Sequence, residues 1–321
     1  MGLLGKRLPL HKKGNIKLMA SSTIPTFPVF AEPNLVMKDE VDSFLSPLKD
    51  GASELSFLNL YLFRHTYHYS FSLADGMFII KGIDEGIPFV ITPCGVFHPE
   101  IVAKFLDEGF RWNCITDEFL SKNRSVISKS CMKDAYLEED RNNFDYVYLA
   151  NSLATLPGKD LHKKKTHINK FEKTYPLLKV LPLSPSLKDD ALSVLQQWKA
   201  KRSDVADFEE ACEALSLLGD ERFCIRGVIL YIEATPVAWS IAEVFKERDV
   251  AVVLFEKALD EYKGSFQYIN YALATHLADE VKCINREQDL GDAGLRQAKM
   301  TYRPLFFVKK YVSSKTHCDL Q

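Results

Sequence analysis

Residues 83–91 (IDEGIPFVI) and residues 231–239 (YIEATPVAW) decide the fold that this sequence predicts. Each stretch places an acidic turn and a proline, Pro88 or Pro236, between two apolar or β-branched runs. This pattern is typical of an antiparallel β-hairpin. The two hairpins share a pattern of residue types but not the same residues, and this pattern favours a duplicated α+β unit.

Similar elements are predicted around both hairpins, from the apolar periodicity of the flanking segments. In the first half the order is a helix (45–63), three strands (67–73, 77–83 and 89–93), a helix (98–109) and a strand (146–150). In the second half it is two helices (161–175 and 188–202), three strands (223–232, 237–245 and 250–255), a helix (266–279) and a strand (281–285). The turn-forming segment TLPGK, residues 155–159, separates the halves. We therefore predict one domain over residues 27–154 and another over residues 155–321.

Composition narrows the classes of protein that remain. A chain of 321 residues with 46% hydrophobic residues can bury two sizeable cores. Its formal net charge of -2 means that contact with nucleic acid or anionic lipid must depend on local patches. The seven cysteines form no CxxC pair and no window approaches the ~18 apolar residues of a membrane helix. A reducing cytoplasm is the simplest location.

Residues 1–26 form a basic leader, which we expect to be disordered. Its cations interrupt any apolar run that a signal peptide needs, and Lys6 stands where a myristoylation signal requires Ser or Thr. Two interpretations stay open. The leader touches an anionic membrane surface, which makes the protein peripheral to the membrane, or the true start is Met19 and not Met1.

A basic helix is predicted over residues 161–175, with one apolar stripe. Its remaining faces carry five lysines, Lys163, Lys164, Lys165, Lys170 and Lys173. Lysines at this density bind a phosphate backbone by releasing its counterions, although a solvated helix face gives the same pattern.

The segment after the strand at 250–255 resembles a site for an acyl donor. Ser265 is a suitable N-cap and Gly264 can adopt positive φ, so backbone N–H groups at this helix start would face a ligand. The predicted donor-binding residues are Lys263, Gly264, Ser265, Tyr268 and Asn270. However, the glycine-rich signature with which N-acetyltransferases cradle the CoA pyrophosphate is absent, and an ordinary strand–loop–helix link remains the alternative.

Residues 285–304 (NREQDLGDAGLRQAKMTYRP) carry the densest mixture of charges. Asp292 is placed to cap a helix whose buried stripe would be Leu295, Ala298 and Tyr302, with Pro304 as its stop. Arg296, Lys299 and Arg303 would share an adjacent face. Charges at the end of a core strand are costly unless paired, so Arg286, Glu287 and Asp289 either form ion pairs or line a cleft.

Familiar metal and nucleotide motifs are missing. The sequence has no HExxH, no zinc-type Cys/His spacing, no GxGxxG after a strand, no GxxxxGK[ST] and no GxSxG. His65 and His68 lie in an aromatic run where an HxxH pair is more often core than ligand. We therefore predict no metal site.

Three stretches together resemble a known family: HKKKTHINKF (162–171), YKGSFQYIN (262–270) and NREQDLGDAGLRQAKMTYRPLFFVKKY (285–311). The chain is similar to stand-alone proteins related to the C-terminal domain of phosphatidylglycerol lysyltransferase. The resemblance implies two tandem GNAT-like domains of the Fem-related type, each with a mixed, mainly antiparallel sheet flanked by helices. This agrees with the α+β duplication inferred from the hairpins.

The resemblance also implies an activity, the transfer of an aminoacyl group from a charged tRNA to a lipid or other hydroxyl or amine. No tightly bound cofactor is expected, and the basic helix would meet the tRNA. Asp289 and Glu287 would orient the acceptor or the α-amine, Arg286 and Lys299 would steady a phosphate or oxyanion, and Tyr302 would add a hydrogen bond. The alternatives are a CoA-dependent N-acyltransferase, a Fem-like peptidyl transferase and a catalytically idle binding module. The oligomeric state stays open.

Overall fold

The computed structural model describes residues 22–202 and 207–314. Most of the predicted leader lies outside these ranges. Its last residues, 22–26, pack on the fold, since Ile24 is buried and Thr26 bridges Leu73. Folded structure therefore begins before residue 27.

The described residues form ten α-helices and thirteen strands. The helices are α1 Lys38–Leu45, α2 Phe57–Leu62, α3 Pro99–Asp107, α4 Asp117–Ile127, α5 Ala150–Thr155, α6 His162–Thr174, α7 Lys188–Ala200, α8 Phe208–Ser216, α9 Ser265–Leu277 and α10 Ala293–Met300. The strands are β1 Ser70–Ala74, β2 Met77–Asp84, β3 Ile87–Ile91, β4 Arg111–Thr116, β5 Glu138–Glu139, β6 Asp145–Leu149, β7 Leu178–Pro182, β8 Ile225–Ile232, β9 Thr235–Phe245, β10 Val250–Ala258, β11 Cys283–Asn285, β12 Phe306–Val308 and β13 Lys310–Ser313.

Two sheets organise these elements. The first has the order β1-β2-β3-β4-β13-β5 and the second the order β12-β6-β11-β10-β9-β8-β7. In each sheet an antiparallel meander ends in one parallel pair, β3 with β4 and β10 with β11. Both quoted hairpins are present, β2–β3 and β8–β9. The predicted α+β class, with two mixed, mainly antiparallel sheets flanked by helices, is confirmed.

The sheets exchange strands across the predicted domain boundary. β6 precedes residue 155 but pairs with β11 and β12 in the second sheet. β13, near the end of the chain, pairs with β4 and β5 in the first. A division at residue 155 therefore does not coincide with the division into sheets, and the two halves are joined by main-chain hydrogen bonds.

Several predicted elements differ from those observed. Of the helix expected over residues 45–63, only α2 forms, together with Leu45 as the last residue of α1, because Pro47 and Gly51 (φ 72°) interrupt the apolar periodicity. Five strands (β4, β5, β7, β12 and β13) and four helices (α1, α4, α5 and α8) were not predicted. They are short elements that the apolar pattern did not separate from their neighbours.

The core has three layers of apolar side chains. One joins the two sheets, since Phe78 of the first sheet and Trp239 and Phe255 of the second belong to one cluster together with residues of α1, α2, α7 and α8. A second lies between the second sheet and α5, α6 and α9. The third lies between the first sheet and α3 and α4. Any cavity in the central layer therefore has walls from both sheets.

Candidate functional site

A cavity of about 400 Å³ opens in the central layer between the sheets. Its aromatic walls are Phe63, Tyr67, Tyr69, Phe89 and Phe255. Its carboxyl groups, among the described residues, are Glu54, Asp84, Asp140, Asp207 and Glu287, with Lys310 as the one lining cation in that part of the chain. The cavity is therefore acidic and lined by aromatic rings.

Lys310 anchors one wall of this cavity. Its side chain is 1% exposed, and its Nζ donates to Asp145 Oδ1 at 2.8 Å and to Glu54 Oε2. Asp145 also accepts from the Ser53 N–H at 2.8 Å and from Asn285 Nδ2 at 3.0 Å. Burial alone would lower the pKa of Lys310, but Asp145 and Glu54 outweigh it and hold the pKa above its ordinary value. The lysine is charged and ties β13, β6 and β11 together.

Glu287 lies in the cavity directly after β11. Its backbone adopts φ 55°, in the left-handed region, where its N–H donates to Asn285 Oδ1 at 2.8 Å. Burial raises the pKa of Glu287 to about 8, the positive charge of Lys299 opposes this, and Asp145 and Glu54 add to it. A carboxyl group of this kind can take up and release a proton near neutral pH.

Asp289 is placed differently from Glu287. Its side chain is 0% exposed and does not line the cavity. It accepts hydrogen bonds from Arg296 Nη2 at 2.7 Å, from Arg141 Nη1 at 3.1 Å and from Tyr146 Oη at 2.5 Å. Burial would raise the pKa of Asp289, but the bonds from Arg296 and Tyr146 hold it well below its usual range. Its ion-pair partners are thus Arg141 and Arg296 and not Arg286.

Lys299 is buried although it was predicted to lie on a cationic surface. Its Nζ donates to the carbonyl oxygens of Arg286 at 2.6 Å and Glu287 at 3.2 Å, and to that of Gln288. It thereby fixes the loop that carries Glu287. Burial and then the charge of Arg286 lower the pKa of Lys299 to about 8.

The apolar stripe predicted to be the buried face of α10 is therefore mostly exposed. Leu295 is 40% exposed and Ala298 is exposed, while Lys299 is the buried residue of the helix. Leaving the buried loop carbonyls without a hydrogen-bond donor would cost more free energy than exposing the apolar side chains of α10. Only Tyr302 of the predicted stripe is buried. Asp292 does cap the helix, since it accepts from the Leu295 N–H.

Arg286 and Tyr302 lie on the face of the second sheet that packs against α9. The Arg286 Nη2 is 3.4 Å from Glu256 Oε1, and the guanidinium lies 5.3 Å from the centre of the Tyr302 ring. Neither residue lines the cavity. The five predicted catalytic residues are therefore divided, with Glu287 in the cavity and the other four outside it.

The predicted donor-binding residues are also divided. The N-cap of α9 is Gly264 (φ 100°) and not Ser265, which is buried and donates to the Leu259 carbonyl at 3.1 Å. Tyr268 stacks on Phe171 with ring centres 4.7 Å apart, and Asn270 donates to Glu256 at 3.2 Å. Lys263 and Gly264 remain accessible.

A groove of about 490 Å³ brings these two residues to the basic helix α6. Lys164, Lys170 and His167 line it beside Lys263 and Gly264. The predicted lysine patch and the predicted donor loop are thus neighbours. The other lysines of the patch are exposed on α6, namely Lys163, Lys165 and Lys173.

Glu54, Asp145 and Lys310 were not identified from the sequence. Asp145 and Lys310 each begin a short strand and are 165 positions apart, so no local spacing connects them. The only available signal was a charged residue at an inward position of an otherwise apolar strand.

Within residues 22–202 and 207–314, no group of three or more His, Cys, Asp or Glu side chains is arranged to hold a metal ion. Over the same ranges, every helix is too short or too polar to span a bilayer.

Two solved structures have the same architecture as this chain. A conserved protein of unknown function from Bacteroides thetaiotaomicron superposes with a TM-score of 0.76 at 26% identity, covering 88% of this chain and 98% of that one. The structure of L-PGS from Bacillus licheniformis superposes with a TM-score of 0.60 at 12% identity, covering 89% and 93%. The latter likeness shows the fold alone.

Sequence comparison gives a relative and a family. An uncharacterised protein of Mycoplasmoides gallisepticum is 25% identical over 185 residues, which are 55% of this chain and 57% of that protein. The family model described as phosphatidylglycerol lysyltransferase, C-terminal, matches residues 45–313. That match includes both sheets, the cavity and the groove. The chain therefore belongs to the phosphatidylglycerol lysyltransferase C-terminal family.

Proposed function

We propose that this protein is an acyltransferase that moves an aminoacyl group from a charged tRNA to a hydroxyl or amine acceptor, with a lipid hydroxyl as the leading candidate. Family membership supports transfer of an acyl group. The acidic, aromatic cavity supports the aminoacyl form of that group.

The composition of the cavity walls is the observation that carries the proposal. Carboxylates and aromatic faces both attract a protonated amine, and here they surround one space. Glu54, held by Lys310, presents a carboxyl group to which the α-amino group of the donor would bind. A plain acetyl group would gain nothing from these carboxylates.

Glu287 supplies the proton transfer that the reaction needs. Its carboxylate would take the proton of the attacking hydroxyl or amine as that atom bonds to the ester carbonyl carbon. When the bond to the tRNA ribose oxygen breaks, the protonated Glu287 would return the proton to that oxygen. A pKa of about 8 suits both steps near neutral pH.

The start of α9 supports a donor other than acyl-CoA. A Cβ added at Gly264 would lie 3.2 Å from the Phe171 ring, so this glycine packs against an aromatic side chain, and the glycine-rich signature of a pyrophosphate cradle is absent around it. CoA-dependent transfer remains the second candidate because Lys263 and Gly264 line an open groove. Contact with an anionic membrane would depend on the leader, most of which lies outside the described residues.

A transfer assay with two donors tests the proposal. The full chain is incubated with tRNA carrying a mixture of radiolabelled amino acids, or with labelled acetyl-CoA, and with vesicles that contain phosphatidylglycerol. We expect label to move from tRNA to lipid, and Glu287→Gln to abolish the transfer while Glu221→Gln, at an exposed glutamate, leaves it unchanged. Transfer from acetyl-CoA alone, or full activity of Glu287→Gln, would refute the proposal.

A further inference from the structure

Two cations lie beside the same aromatic ring, that of Tyr302, at the boundary between the groove and the second sheet. Lys164 Nζ lies 4.2 Å from the centre of the Tyr302 ring, and the Arg286 guanidinium lies 5.3 Å from it. Tyr302 is buried, and Arg286 is largely so. Two positive charges are thus held close together, one largely buried and the other partly exposed in the groove.

Among the described residues, Glu256 is the one carboxylate that forms an ion pair with either cation. Burial alone would lower the pKa of Arg286, but the charge of Glu256 holds it above the ordinary value. Arg286 contacts Glu256 only at 3.4 Å, and the other carboxylate oxygen of Glu256 is used by Asn270 at 3.2 Å. Lys299, a third cation, is bonded to backbone carbonyls nearby. Burial and then the charge of Arg286 lower the pKa of Lys164, and within residues 22–202 and 207–314 this lysine has no ion-pair partner.

The second sheet is open at this position. β10 and β11 pair only from Val250 to Val252, whereas β10 continues to Ala258. Beyond that pairing, Leu254 and Phe255 line the cavity, while Glu256 meets Arg286 on the opposite face. Arg286 and Glu287 are consecutive, one on each face. A group bound beside Arg286 is therefore next to the break in the sheet that leads toward Glu287.

We propose that Lys164, Arg286 and Tyr302 form a phosphate subsite, in which a phosphate of the donor replaces Glu256 as the partner of Arg286 and the acyl group passes through the break in the sheet. This inference rests on the proposed function for the identity of the donor. Phosphates of tRNA and of CoA share the chemistry, and two experimental arms separate them.

Binding measurements on the full chain test the subsite. Dissociation constants for fluorescently labelled uncharged tRNA, and for CoA, are measured against salt concentration. Lys164→Met should weaken binding at least about tenfold and reduce the salt slope by about one, because one phosphate contact is lost. Lys282→Met removes the same charge from an exposed site before β11 and should change binding by less than about twofold.

Glu256→Gln should have the opposite effect. It keeps an oxygen for Asn270 but removes the charge that competes for Arg286, so we expect binding to tighten about threefold or more. Equal losses from Lys164→Met and Lys282→Met, unchanged or weaker binding with Glu256→Gln, or no binding of either ligand would each overturn the subsite. If the three variants change CoA binding as expected and tRNA does not bind, the phosphate subsite is supported and tRNA is refuted as the donor.

Discussion

Glu287 and Asp289 are two positions apart in one loop, but their carboxyl groups lie in opposite environments. Asp289 is enclosed by two arginines, a tyrosine hydroxyl and a backbone N–H, which hold its pKa well below the ordinary value. Glu287 lines an acidic cavity, where burial raises its pKa to about 8. The same chemical group is a fixed charge in one place and a titrating group in the other.

The difference shows that one short loop supplies both a structural ion pair, at Asp289, and a titrating carboxyl group, at Glu287. Asp289 joins α10 to the segment before β6 through Arg296 and Arg141. Lys299 then holds the carbonyls on either side of Glu287. Two carboxyl groups in environments that separate their pKa values are a common sign of an acid–base site with its support.

Asp289→Asn should cause the largest loss of stability. The substitution removes a fully buried carboxylate that two arginines, each 35% exposed, bind, and losing such charge-assisted hydrogen bonds costs about 3 kcal/mol. Chemical denaturation measures it, with Asp279→Asn at an exposed position as the control, expected within about 0.5 kcal/mol. A stable Asp289→Asn protein that has lost only activity would reverse the roles assigned to the two residues.

Glu287→Gln should affect activity and not folding. We expect transfer to fall at least about 100-fold, equivalent to about 2.7 kcal/mol, because a glutamine cannot accept the proton. In the wild type, the rate should rise with pH up to about 8 as the carboxylate forms. A rate profile that is flat from pH 6 to pH 9, or unchanged by the substitution, would contradict this role.

Glu243 is a buried carboxyl group outside the cavity, and its Oε2 has no hydrogen-bond partner among the described residues. Burial raises the pKa of Glu243 from 4.5 to about 7, so the folded state binds the extra proton. The stability that this proton contributes is full below pH 4.5 and is lost as pH rises to about 7.

Glu243→Gln should therefore stabilise the protein by about 2 kcal/mol at pH 8 and have little effect near pH 5. Thermal unfolding at the two pH values measures the difference. Transfer activity should not change, since the residue touches neither cavity nor groove. An equal effect at both pH values would show that Glu243 is not protonated in the folded state.

Leu295→Gln should have the smallest effect. The side chain is 40% exposed on α10, so replacing it should change stability by less than about 0.5 kcal/mol. Denaturation midpoints are sufficient for this test. A loss above 2 kcal/mol would mean that Leu295 is buried and that the stripe predicted from its spacing exists after all.

Local patterns were sufficient to predict much of the fold. The two hairpins, the basic helix and the strand before Arg286 follow from periodicity and turn residues within about ten positions. The exchange of β6 and β13 between the sheets could not be predicted, because strand partners far apart in sequence leave no local pattern.

The candidate site was predicted only in part for the same reason. Glu287 was identified because charge gathers at the end of an apolar strand. Asp145 and Lys310, the ion pair that supports the cavity wall, are separated by most of the second half of the chain. Lys299 was placed on the surface because helical spacing shows which residues share a face but not which face turns inward.

The most direct test of this account is the titration of the two carboxyl groups in the intact protein. Carbon-13 NMR of the side-chain carboxyl signals, assigned with Glu287→Gln and Asp289→Asn, follows both groups in one experiment. We predict that Glu287 titrates with a pKa of about 8 and that Asp289 stays ionised over the whole range in which the protein is folded. A Glu287 pKa near 4.5, or an Asp289 signal that titrates near neutral pH, would contradict the account.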